Sequence, residues 1–447
     1  MLFPPISGLR ALLLQCALWC TLLAVCPAWS AAVTVPDTSG SSGFGSSTGW
    51  RLPYMSAADQ DHTLSEIEAT GVTWVRFDIS WSTVQSAGRD SWNWAPYDAL
   101  ISRVHAHNLR VLATLTYSPA WANGGHSYAN GGDDHWGPVN PADYARFAGA
   151  AAQRYGSRGV HVYEIWNEPN HGPFWHAPNV ATYTSMLKQS YTAIHQADPD
   201  AFVITGGTSP APDGVQEIAP VTFLKGIYAN GGKGSFDAVG HHPYSYPYGI
   251  STAAVWNAWQ QMAWSDFPSA MRPAQSSLRE VMVANGDDGK RIWATEWGFP
   301  TATHPGKDVT EAAQGDLLAQ GMRAWQRYPW AGALIVYSIQ DNGGSDDGFG
   351  LLRADWSRRP AFAAVKSVAT NGTVYATSRP SYTGWAKVDG AAQVTAWSWS
   401  AGEWNSSSLT NGEWVYVWPY GGEWRWGWTQ RTGWVAVRAV SVRIAPW

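Results

Sequence analysis

Val160-His161-Val162-Tyr163-Glu164-Ile165-Trp166-Asn167-Glu168-Pro169-Asn170 carries a β-branched and aromatic run straight into a turn, with an acid at the junction. Arg291-Ile292-Trp293-Ala294-Thr295-Glu296-Trp297-Gly298-Phe299 repeats the layout further along the chain. Side chains alternate along a strand. Val162, Glu164, Trp166 and Glu168 are therefore expected on one face of the first run. Ile292, Ala294 and Glu296 are expected on one face of the second. Each terminal glutamate then sits at the C-terminal mouth of its strand. Glu164 lies roughly 13 Å deeper at ~3.3 Å per residue, and reads as a buried ion-pair member with Arg76 as its partner.

Outward from these two runs, the chain alternates strand and helix patterns. The strands expected are Phe44–Leu52, Val72–Ile79, Arg110–Thr116, Val160–Trp166, Phe202–Thr205, Phe236–Gly240, Arg291–Thr295 and Ala333–Ser338. Helices are expected at Tyr97–His107, Pro141–Tyr155, Val180–Ala197, Val221–Ala229, Ala274–Ala284, Glu311–Tyr328 and Pro360–Thr370. Asn140-Pro141 gives one of them a cap and a first-turn proline. Eight such units indicate an α/β fold, a (β/α)8 TIM barrel. A doubly wound open sheet is the alternative, weakened because no glycine-rich phosphate loop follows the first strand.

The barrel is assigned to residues 31–372, a linker to 373–381 and a small all-β, Trp-rich accessory module to 382–447. In that tail Gly402-Glu403-Trp404, Gly412-Glu413-Trp414 and Gly422-Glu423-Trp424 recur every ten residues. Between them Trp414-Val415-Tyr416-Val417-Trp418 alternates at the strand period, the pattern of a small antiparallel barrel or sandwich. Its tryptophans either form its core or pack on the barrel, or they present a glycan-binding surface. The tail resembles bacterial SH3-like wall-binding modules.

Residues 1–30 read as a signal peptide: Arg10, then an apolar run to Cys26, then Ala28-Trp29-Ser30 before Ala31. A secreted or periplasmic protein with no membrane span after cleavage is expected. The alternatives are a membrane anchor, for which the run is short, and lipid modification at Cys26. All three cysteines, Cys16, Cys20 and Cys26, fall in this segment, so the mature chain has neither thiol nor disulfide. The net charge is −5, only 14% of residues are charged, and there is no basic stripe, which argues against nucleic acid as a partner. Thirty tryptophans accompany this low charge. Their faces serve packing or stack on sugar rings.

Two carboxylates at strand mouths suit glycosidic bond cleavage, one giving a proton and the other attacking the sugar. Trp166-Asn167-Glu168-Pro169 on the fourth strand and Thr295-Glu296-Trp297-Gly298 on the seventh together resemble clan A retaining glycoside hydrolases. His242-Pro243-Tyr244, at the end of the sixth, is also similar to that clan. Phe349-Gly350-Leu351-Leu352 and Arg359-Pro360-Ala361-Phe362 resemble bacterial family 39 members, with family 5 also similar. The resemblance implies Glu168 as acid/base and Glu296 as nucleophile. It implies Tyr244 as a hydrogen-bond partner of the nucleophile and His242 as shaping the subsite. Asn167, Arg76, Tyr117, Trp121, Trp297 and Tyr337 complete the expected substrate-binding set, and Trp81, His126 and Trp136 are secondary candidates. The clan's tryptophan on the eighth strand is missing, leaving Tyr337 or Gln340 in its place.

Polysaccharide or oligosaccharide is the expected partner of a monomer without metal or cofactor. Asp341 to Gly348 is acidic but lacks EF-hand spacing. A non-catalytic glycan-binding barrel and a transglycosylase remain as alternative readings.

Overall fold

In the computed structural model the described residues are 33–371, except 131, 251–252, 254–262, 265–275, 327 and 345–346, together with seven strands between 384 and 444. The signal segment and the linker lie outside them. Among the described residues no helix is long and apolar enough to cross a membrane.

Eight parallel strands close into a barrel in sequence order, the first pairing with the last. They are β1 (Phe44–Gly49), β2 (Trp74–Ser80), β3 (Arg110–Thr116), β4 (Val162–Asn167), β5 (Phe202–Gly207), β6 (Ala238–His241), β7 (Arg291–Trp297) and β8 (Ala331–Val336). Helices follow between strands. Pro141–Tyr155 and Val180–Ala197 start and end where the sequence pattern places them, each capped by an asparagine, Asn140 and Asn179. The closed barrel excludes the open-sheet alternative.

The single turn Trp81–Val84 and one longer helix were not legible. Ala57–Ala69 has only Leu64 and Ile67 as aliphatic residues on its buried side, with Gln60 and Thr63 filling the rest. So thin an apolar stripe gives little 3.6-residue period to read. Its N-terminus is nonetheless capped by Ser56, which accepts from the Asp59 amide.

The barrel floor is apolar. Trp74, Leu112, Phe202, Trp293 and Ile335 form a buried cluster inside the strands. The Trp74 and Trp293 rings meet edge-on at 5.5 Å, and Phe202 adds a third ring 5.6 Å from Trp293. Gly332 makes room for this floor, since a Cβ there would lie 2.1 Å from Trp293 Cδ1. A second, larger cluster joins the outer strand faces to the helices.

The tail forms a seven-stranded antiparallel sheet, from Gly384–Val388 to Val442–Ile444. Gln393–Ser400 pairs with Glu403–Thr410 and Trp424–Thr429 with Gly433–Arg438.

Candidate active site

Above the floor the barrel interior turns polar. Arg76 on β2 is 1% exposed and distributes its guanidinium over three residues on two strands, β4 and β7. Nε donates to Glu164 Oε2 at 2.8 Å, Nη1 to Glu296 Oε1 at 2.5 Å and Nη2 to Asn167 Oδ1 at 2.8 Å. Glu164 is fully buried and also accepts from Thr114 Oγ1 and the Gly207 amide, both at 2.9 Å. It is the deep ion-pair member that the alternation of β4 implies.

The second oxygen of Glu296 is held from the loop after β6: Tyr244 Oη donates to Oε2 at 3.0 Å. His242, fully buried, sets Nδ1 2.8 Å from Glu168 Oε1 and 3.7 Å from Glu296 Oε2. One ligand atom each of Glu168, His242 and Glu296 lie within 4.8 Å of one another. The donor types and spacing of this trio would accept a cation. In the acidic loop, Asp341 is instead committed to Arg359 and the Gly350 amide.

The strand ends depart from simple alternation. Trp166 and Glu168 have φ of 73° and 46°, the left-handed region that bulky residues rarely enter. Trp166 leaves the interior face expected for it. Its ring packs against Tyr144 and Trp175, and its Nε1 donates to the Phe174 carbonyl at 2.9 Å. On β7 the interior residues are Trp293, in the floor, and Thr295, beside His242, whereas Ile292 and Ala294 belong to the outer cluster. Glu296 therefore does not share a face with Ile292 and Ala294. It reaches Arg76 because the β7–β8 register shifts between Ala294 and Trp297.

The electrostatics follow from burial and crowding. Burial alone would lower the pKa of Arg76, but Glu164 and Glu296 more than reverse this, so the guanidinium stays charged. Burial lowers His242 against the opposing pull of Glu296. The His242–Glu168 contact is therefore a hydrogen bond of a neutral imidazole rather than an ion pair. Burial, then the Glu296 charge, holds the Tyr244 phenol well above its usual value, so it remains a donor. Burial pushes Asp78 up to about 7; Arg76 opposes this, and Glu296, Glu164 and Asp134 add to it.

The remaining expected residues divide. Tyr117 stands near Glu168 and Glu296, 4.3 Å ring to ring from His135, its pKa raised by burial and then by Asp78, Glu168 and Glu296. Tyr337 lies beside Tyr244 at 6.4 Å and Phe349 at 5.6 Å. Gln340 Nε2 is turned to the Ala354 carbonyl. Arg76 is too buried to touch substrate, and holds Glu296 and Asn167 instead.

Trp297 is a correction: it is fully buried and turned outward, where a Cβ on Gly321 would lie 2.0 Å from its ring. Trp81 is likewise buried, stacked on Phe147. Trp121 packs edge-on to Trp81 and donates to the Gln85 carbonyl, so it supports a loop. Trp136 stacks on His126 at 3.9 Å and stays partly exposed.

Sequence reading missed Asp78, although strand alternation from Arg76 would have found it. It also missed Tyr246, whose ring packs on Tyr244 and Phe349 from a loop that has no period.

The family described as Cellulase (glycosyl hydrolase family 5) matches residues 36–324. No curated protein sequence matches. Among solved structures, a family 39 glycoside hydrolase from the gut symbiont Bacteroides cellulosilyticus WH2 has a TM-score of 0.55 at 19% identity, over 91% of this chain and 80% of that one. A family 39 β-xylosidase from Caulobacter crescentus has a TM-score of 0.55 at 18% identity, over 75% and 72% of the two chains. The family 39 enzyme from Xanthomonas axonopodis pv. citri gives 0.54 at 18% identity, over 86% and 75%. These likenesses are of fold, and they agree with a clan A barrel related to family 39. The matched region takes in the whole of β1 to β7, both strand-end glutamates and the Arg76 network, and this chain belongs to the cellulase family, glycosyl hydrolase family 5.

Proposed function

We propose that this glycoside hydrolase cleaves β-glycosidic bonds of a polysaccharide with net retention, by double displacement. The observation that carries the reading is the approach of Glu168 and Glu296, with one oxygen of each within 4.8 Å. Retaining enzymes hold their carboxyls about 5–5.5 Å apart, and inverting ones about 6.5–9.5 Å, to admit a water.

Glu296 is the nucleophile. Arg76 and Tyr244 hold its two oxygens, which fixes its direction. Glu168 enters protonated and gives its proton to the leaving oxygen as Glu296 bonds the anomeric carbon. It then takes a proton from water, which releases the sugar from Glu296. His242 orients Glu168, and Asn167, its Oδ1 held by Arg76, turns its amide toward the sugar's 2-hydroxyl. The alternative of a non-catalytic binder leaves this investment in two aligned carboxylates without a purpose. Transglycosylation would use the same residues with a sugar in place of water.

The first ~30 residues act as an export signal, so the enzyme works outside the cytoplasm as a monomer, and the Trp-rich tail is an accessory module. Proton NMR of the earliest product tests the chemistry. The β-anomer should appear first, and initial α-product would refute retention.

A further inference from the structure

We propose that Asp78 is a substrate-binding carboxylate, accepting hydrogen bonds from adjacent hydroxyls of a neutral sugar beside Glu296 and disfavouring a sugar that bears a carboxylate there. This rests on the glycosidase reading of the same cleft.

Asp78 follows Arg76 by two residues on β2, so it shares the interior face and stands about 7 Å nearer the mouth. It is 7% exposed. Among the described residues its carboxylate has no hydrogen bond and no ion pair. The neighbouring cation is already committed, since Arg76 donates to Glu164, Glu296 and Asn167. The groups that face Asp78 come from every side of the mouth: Arg76 on its own strand, Glu164 from β4, Glu296 from β7, Asp134 from the loop after β3, and the phenols of Tyr117 and Tyr97.

A buried carboxylate without a donor weakens the fold. A structural role would have given it a donor, as Glu164 has three. What is lacking is a set of O–H groups entering from the open end, and a sugar diol supplies them. The surplus of negative charge sets the selectivity. A neutral ring adds donors, whereas a uronosyl carboxylate would add a like charge in a low-dielectric site. Burial is the first cause of the raised pKa of Asp78, and the charges of Glu296, Glu164 and Asp134 add to it against Arg76.

The test uses the full chain as wild type, Asp78→Asn and Asp78→Ala. Substrates are neutral β-glycans, their uronate-bearing counterparts, and aryl β-glycosides lacking single hydroxyls. Asp78→Ala should lower kcat/KM on neutral substrate about 100-fold while leaving the melting temperature unchanged or higher. Deleting the contacted hydroxyl should impair wild type but add little to Asp78→Ala. Asp78→Asn should narrow the preference for neutral over uronate substrate.

Variants within about threefold of an active wild type would overturn the inference alone. Loss of activity that only tracks loss of folded protein would overturn it too, by assigning Asp78 a structural role. A wild type inactive on every substrate would overturn the hydrolase reading, and this inference with it.

Discussion

Glu296 has both oxygens held, one by a guanidinium and one by a phenol. Its replacement by alanine removes the proposed nucleophile and leaves Arg76 still paired to Glu164, so the barrel should remain folded. Glu296→Ala should lower kcat by several orders of magnitude, and azide should restore turnover to an α-glycosyl azide. Retention of more than about a tenth of wild-type activity, equivalent to ~1.4 kcal/mol of barrier, would reassign the nucleophile.

Asp78 gives a prediction in pH. Its pKa rises from 3.8 unfolded to about 7 folded. Between those values the native state holds more protons than the unfolded one, so stability falls as pH rises and the penalty is complete above about 7. Asp78→Asn should therefore raise the melting temperature at pH 8 and hardly change it at pH 4; calorimetry across that range measures it. An equal shift at both ends would mean the Asp78 charge is not the cause. At this scale the two glutamates, Tyr244 and the Arg76–Glu164 pair were legible, because each is marked by a motif or a period. Trp297 and Trp81 were misjudged, because an aromatic at a strand mouth reads the same whether it faces sugar or helix.

At the scale of elements, the ends of β5, β6 and β7 are fitted to each other without slack. A Cβ on Gly207 would lie 2.3 Å from His242 Nε2 and 2.4 Å from Thr295 Oγ1. Gly207→Ala must therefore push His242, and with it Glu168, out of line. Overpacking of this kind costs about 1–3 kcal/mol of stability. The loss in kcat should exceed what the fall in folded fraction explains, since a displacement of about 1 Å can cost ~10²-fold. Steady-state kinetics beside a melting curve separate the two. Strands and most helices were legible because apolar period and caps agree, as at Asn140-Pro141. The twists that finish the site were not. The left-handed backbone at Trp166 and Glu168 and the register shift before Trp297 come from tertiary packing, which overrides strand alternation at those residues.

For the whole molecule, all eight barrel strands and the last helix, Pro360–Asn371, precede the tail. A chain ending at Asn371 should fold and hydrolyse short soluble substrate at near wild-type rate. If the tail binds glycan, it should also lose retention on insoluble substrate, because tethering raises local concentration without altering the cleft. An insoluble shortened chain would mean that the tail tryptophans seal the barrel.

Arg76 has a consequence for how the enzyme fails in heat. One side chain joins β2 to β4 and to β7, across sequence separations of 88 and 220 residues, and the same side chain aims Glu296. The clamp that closes the scaffold is thus also the one that aligns the chemistry. No gradual slackening of the cleft should precede melting; inactivation and unfolding should be a single, all-or-none event. Residual activity after brief heating and the near-ultraviolet signal of the tryptophans should fall along one curve. Substitutions far out on the surface should move the working temperature only as far as they move the melting point.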